Sequence, residues 1–199
     1  MQTGFHRWMG MVVLSMVCSG GLRAQQSGEA KLLYWSPERR LSFDDFGGRR
    51  KTGDTIFIYR NAKPDVHRLG TISTAIDVHV KKERKRTTFT IRAVMNANAS
   101  WIRAEGDSIT LRHEQGHFDI TEIYTRVMRR EMRKARSHKD SETIYEAVLA
   151  AESAEHAQYD AANTFENGGI TRAWSDQIAR RLKALAPYNN PKLVHAWDK

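Results

Sequence analysis

Apolar positions along the chain change their period at about residue 104. Before it they recur every second residue or in short β-branched runs, and beyond 108 they recur at helical spacing. Residues 32–35 form a short apolar run, broken by Ser36-Pro37-Glu38-Arg39-Arg40. Leu41, Phe43 and Phe46 then carry the apolar weight up to Gly47-Gly48, and residues 55–59 form another β-type stretch. Ile72, Thr74, Ile76, Val78 and Val80 alternate with Ser73, Ala75, Asp77, His79 and Lys81, the period of a half-buried strand. A charged turn over 82–86 leads into the β-branched stretch 87–95, so the pair predicts an antiparallel hairpin. The basic run at its tip reads as a solvated turn.

Asp107 or Ser108 suits a helix N-cap, and the spacing predicts a helix over 109–136. Ile109, His113, His117, Ile120 and Tyr124 lie along one of its sides. A polar break at 137–140 precedes a second predicted helix, 141–163. After an Asn167-Gly168-Gly169 loop, Ile170, Trp174, Ile178, Leu182 and Leu185 mark a third helix, which Pro187 ends. Strands first and helices after predict an α+β fold: an N-terminal antiparallel sheet (β-rich 31–103) followed by a C-terminal helical region (108–186).

The first residues differ from the rest. Arg7, an apolar run over 8–17, then Ser19-Gly20-Gly21 and Ala24 follow the order of a secretory signal peptide cut after Ala24. An uncleaved anchor is the alternative, but the run falls short of the roughly 20 apolar residues a bilayer requires. Residues 1–24 thus read as a signal peptide and 25–199 as a single domain, exported to the periplasm or beyond. Cys18 is the only cysteine and lies in the leader, without the small residue before it that a lipoprotein would carry. The mature chain then has no disulfide, and any metal must be held by His, Asp or Glu. Cleavage removes two basic residues and no acids, lowering the formal net charge from +9 to +7. A basic exported protein can meet acidic cell-envelope components. The charges are widely spread and no nucleic-acid motif is present, so solubility is the simpler reading.

The chemistry-bearing motif is His113-Glu114-Gln115-Gly116-His117. Residues i and i+4 of a helix share a face, so both imidazoles can hold one Zn²⁺. Glu114 beside them can take a proton from the attacking water and later deliver it to the leaving amine, the zinc-protease use of His-Glu-x-x-His. A catalytic site needs a third protein ligand. If the second helix returns antiparallel, equal residue counts on either side of the break give equal height, and the level point falls near Ala161. That leaves Glu155, His156 and Asp160 as candidate ligands. His156 and Asp160 share a face, and Glu155 lies on the side of Ile144, Val148 and Ala151. Tyr159 is a candidate catalytic residue, donating to the developing oxyanion. Its alternative is a core tyrosine. Gly116 costs about 1 kcal/mol inside a helix; it permits close backbone approach, for instance by an edge strand carrying substrate, or equally is drift without a role. Asp119 is placed to orient a ligand imidazole, with a surface charge as the equal alternative.

These residues together resemble a family of bacterial secreted proteins, domain of unknown function 922, predicted zinc-dependent proteases. The resemblance runs through Trp35-Ser36, Leu41-Ser42-Phe43-Asp44-Asp45-Phe46-Gly47, Ser100-Trp101, residues 111–120, Tyr159-Asp160 and Trp174. It implies a zincin-like metallopeptidase fold with the paired histidines on the active-site helix, and it favours Asp160 as third ligand. The family commonly carries Thr and then His-Gly shortly after its Tyr-Asp; here residues 163–168 contain no histidine. The expectation is an exported Zn²⁺-dependent hydrolase acting on peptide or protein. Metal ligands would be His113, His117 and Asp160, with Glu114 and Tyr159 catalytic. The alternatives are a non-catalytic zinc-binding or envelope-binding module and a structural helical scaffold without metal, its histidines merely packing.

Overall fold

The computed structural model describes residues 31–47, 49–50, 59–60, 63–64, 69–84, 86–163 and 168–196. The expected signal segment (1–24), the leader after it and nearly all of the 55–59 stretch lie outside the described residues. The fold is α+β, with antiparallel sheet first and three helices after it. In chain order the strands are β1 (Leu32–Tyr34), β2 (Arg49–Arg50), β3 (Tyr59–Arg60), β4 (Lys63–Pro64), β5 (Gly70–Thr71), β6 (Thr74–Glu83), β7 (Arg86–Asn96) and β8 (Trp101–Arg103). The helices α1 (Ser108–Met132), α2 (His138–Ala162) and α3 (Arg172–Ala184) follow, then β9 (Lys192–His195).

The expected hairpin is β6 and β7, in register from Thr74↔Met95 to Glu83↔Arg86. The period of two on β7 holds from Thr87 through Phe89, Ile91 and Ala93 to Met95, all buried, and is broken by Val94, which is buried as well. On β6 the apolar alternation fades outward, from buried Ile76 to Val80, 49% exposed. β1 pairs with residues 94–96 of β7 and β9 with 87–90, which puts β7 at the centre. β9 adds one strand after the helices. Its Leu193 packs with Phe89 and Ile91, and a four-residue return strand stands on such long-range pairing rather than on its own pattern. β8 pairs with β2 and β5, and β3 with β4.

Asp107 is the N-cap of α1; its carboxylate accepts from the Ile109 and Thr110 amides at 2.9 and 3.1 Å. The helix ends four residues before the expected 136. The Lys134 and Ala135 amides bond to the Glu131 and Met132 carbonyls in a tight final turn. α2 starts three residues before the expected 141, because Ser137 caps it by accepting from the Asp140 amide. α1 is the central element. Ile120, Ile123, Met128 and Met132 are fully or almost fully buried, joining apolar clusters from the sheet, α2 and α3.

The segment before β2 is pinned onto α1 by polar contacts. Trp35 Nε1 and Arg40 Nη1 donate to the two oxygens of Asp119 at 2.8 and 3.0 Å, and the Leu41 amide donates to Gln115 Oε1 at 2.8 Å. Asp119 therefore ties the N-terminal segment to the helix. It is committed there rather than to a ligand imidazole, which corrects the role expected of it.

Candidate metal centre

α1 and α2 run side by side, and the equal-height argument holds: Asp160 arrives level with the two histidines of the first turns of α1. Asp160 Oδ1 lies 2.9 Å from His117 Nε2 and 3.2 Å from His113 Nε2, and the two Nε2 atoms are 3.2 Å apart. His113, His117 and Asp160 form the one group among the described residues whose geometry can hold a metal ion. Ligand atoms 2.0–2.1 Å from a tetrahedral centre sit about 3.3 Å from one another. The observed spacings are slightly tighter than that, so a cation fits the set with little adjustment.

The ring orientations have separate causes. His113 Nδ1 donates to the Gly169 carbonyl at 2.8 Å, which turns Nε2 toward the cluster. Gly169 reaches this position at φ +78°, with Ile109 so close that an added Cβ would sit 2.6 Å from its Cγ2. Only glycine accommodates both constraints. His117 Nδ1 faces His156 Nδ1 at 2.9 Å.

Protonation follows burial and neighbours. Burial is the largest influence on His117 and holds its pKa down at about 4, against the pull of Asp160 and with the push of His156 and His113. For His113 burial is again the largest single influence and lowers its pKa. Asp160, Glu114 and the Gly169 carbonyl outweigh it, leaving the pKa raised.

Glu114 is 4% exposed and lies in the floor of a groove of about 340 Å³, together with His117 and Asp160. Residues 71–74 form one wall of the groove, and Leu149, Glu152, Ser153 and His156 of α2 line the other. β6, which continues this first wall, pairs with β7 alone among the described residues.

Tyr159 is fully buried, and its hydroxyl donates to the His113 carbonyl at 3.1 Å, which agrees with the core-tyrosine alternative and braces the helix that carries the motif. Burial first, then Glu114, Asp119 and Asp160, push its pKa well above the ordinary tyrosine value. Gly116 finds its reason here as well. A Cβ at that position would overlap the Tyr159 hydroxyl and sit only 2.5 Å from the ring carbon that bears it. The close approach is made by an α2 side chain, not by an edge strand. Glu155 is excluded as a ligand. Its carboxylate accepts from the Tyr124 hydroxyl at 2.7 Å and pairs with Arg181, joining α2 to α1 and α3. His156 stands behind His117 instead of beside the cluster.

Three contributors escaped the sequence reading: Gly169, Glu152 and Thr121. Glu152 had a signal, because Glu152, His156 and Asp160 recur every fourth residue and form one stripe on α2. Gly169 and Thr121 had none.

Comparison with protein-family models, with curated proteins and with solved structures finds no match for this chain. No helix among the described residues is long and apolar enough to cross a membrane.

Proposed function

We propose that this chain is an exported zinc-dependent hydrolase that cleaves peptide bonds, akin to the predicted proteases of the family its motifs resemble. His113, His117 and Asp160 would hold the zinc, a two-nitrogen, one-oxygen set of the kind catalytic zinc sites use. The observation that carries this reading is their convergence on one point beside a buried carboxylate, at the floor of an open groove. When bound, zinc supplies Lewis acidity, activating water and polarising the scissile carbonyl.

The chain's own residues do the rest. Glu114, held in the groove floor, accepts the proton of the attacking water on its carboxylate and passes it to the leaving nitrogen. Gly169 orients His113 through its carbonyl, and Tyr159 fixes the height of the motif by holding the His113 carbonyl. The wall at 71–74 runs into a strand that pairs on one side only among the described residues, which suits an extended peptide pairing along it. Export agrees with the leader composition.

The test is Glu114→Gln in the full chain, with zinc content and peptide hydrolysis measured together. Zinc should stay bound while hydrolysis falls about 10²- to 10⁴-fold. Unchanged hydrolysis would remove Glu114 from the mechanism. Zinc without turnover in the wild type, across a peptide library, would favour a non-catalytic zinc module.

A further inference from the structure

We infer that His156, backed by Glu152, is a positioning residue that sets the tautomer of His117 and thereby the strength of the metal site. The inference rests on the metal-centre reading above. A ligand imidazole offers one nitrogen to the ion, and its other nitrogen carries the proton. For His113 that proton goes to the Gly169 carbonyl, which can only accept. For His117 the partner is another imidazole, and an imidazole nitrogen can donate or accept.

With His117 Nε2 in the cluster, its Nδ1–H points at His156 Nδ1, 2.9 Å away. His156 Nδ1 must then be bare and its proton must sit on Nε2. That nitrogen lies 3.6 Å from Glu152 Oε1 and 3.4 Å from Thr121 Oγ1. Thr121 donates its own proton to Thr74 Oγ1 at 2.8 Å, which leaves its oxygen able to accept. The hydrogen bonds run one way, from His117 through His156 to Thr121 and on to β6, and the Glu152 carboxylate stands beside Nε2 as a charge partner just outside hydrogen-bond range. The opposite tautomer of His156 would set two N–H groups against each other, or force His117 to turn an N–H into the cluster and exclude the ion. The side chains of His117 and Glu152 are about one-tenth exposed and that of His156 about one-fifth, so water competes weakly for these bonds. Partners behind a metal ligand are worth about 10- to 100-fold in affinity.

The experiment compares His156→Asn, whose side-chain oxygen can stand where Nδ1 stood, with His156→Leu, which has no acceptor. Zinc affinity of the full chain is read by chelator competition, and circular dichroism of the metal-free proteins checks folding. Asn should hold zinc within about threefold of wild type, and Leu should lose about 10- to 100-fold. Equal affinities for both variants would overturn the inference and leave the metal centre standing. Long-range ¹H–¹⁵N spectra of the zinc-loaded wild type need no variant. His156 should be protonated at Nε2 and His117 at Nδ1, and a proton on His156 Nδ1 would overturn the assignment. A wild type that takes up no zinc would overturn the reading beneath both.

Discussion

In the C-terminal half of α1, Glu122, Arg126 and Arg129 are each 4% exposed, and their charges are met close by. Glu122 Oε1 accepts from Arg126 and Arg129 at 2.7 and 3.3 Å. Arg126 Nη1 also donates to the Leu182 carbonyl, and Arg129 donates to the carbonyls of Ile91 and Tyr188, at 2.7–3.0 Å. In the N-terminal half of the same helix, His113 and His117 point two ring nitrogens at a carboxylate and at each other. Both halves bury polar groups, with different results. The first cluster pairs donors with acceptors and fastens α1 to β7, to the end of α3 and to the turn before β9. The second gathers acceptor-type atoms around a point, an arrangement that a cation completes.

The sharpest way to break that comparison is Glu122→Ala, which strands two buried arginines. It should cost about 3–5 kcal/mol of stability in denaturant unfolding of the full chain, with zinc affinity of the folded protein unchanged. A loss no larger than that of a surface substitution would place the two clusters in one class. The next largest effect is pH-dependent. In metal-free protein the His117 pKa is about 4, against 6.5 for the unperturbed group, so the unfolded chain binds more protons between those values. The stability His117 contributes is present above about pH 6.5 and is lost as pH falls toward 4, by about 3 kcal/mol at most. His117→Gln should flatten that fall in unfolding curves taken at each pH, and an identical pH profile in the variant would contradict it.

Gly116→Ala separates propensity from packing. Alanine favours a helix by about 1 kcal/mol over glycine, yet here its Cβ collides with Tyr159, and a net loss of about 1–3 kcal/mol is expected in thermal unfolding. A gain in stability would mean that Tyr159 yields easily. Tyr159→Phe, the smallest effect, removes the bond to the His113 carbonyl and should cost about 1 kcal/mol with hydrolysis largely retained. A hundredfold fall in kcat at unchanged stability would return Tyr159 to the oxyanion.

What was legible in the sequence was what local spacing encodes. The β6–β7 alternation, the Asp107 cap and the pairing of His113 with His117 each depend on residues within a few positions of one another. Asp160 came into reach through a count of helical rises, one step beyond local pattern. The reasons for Gly116 and Asp119 did not, because each lies in a partner far along the chain: Tyr159 for one, Trp35 and Arg40 for the other. Glu155 and Asp160 are both acidic residues near the end of α2, and Arg181 of α3 claims the first. Its charge partner, not its residue type, decides its role. β9 was hidden because four residues carry too little pattern to outweigh their surroundings.

The most direct measurement is the zinc content of the full chain, stripped of metal, reloaded and dialysed, beside His117→Ala and Asp160→Ala. One zinc per chain in the wild type, lost or greatly weakened in both variants, is the predicted result. A wild type that stays metal-free, or variants that retain zinc as tightly as it does, would contradict the account.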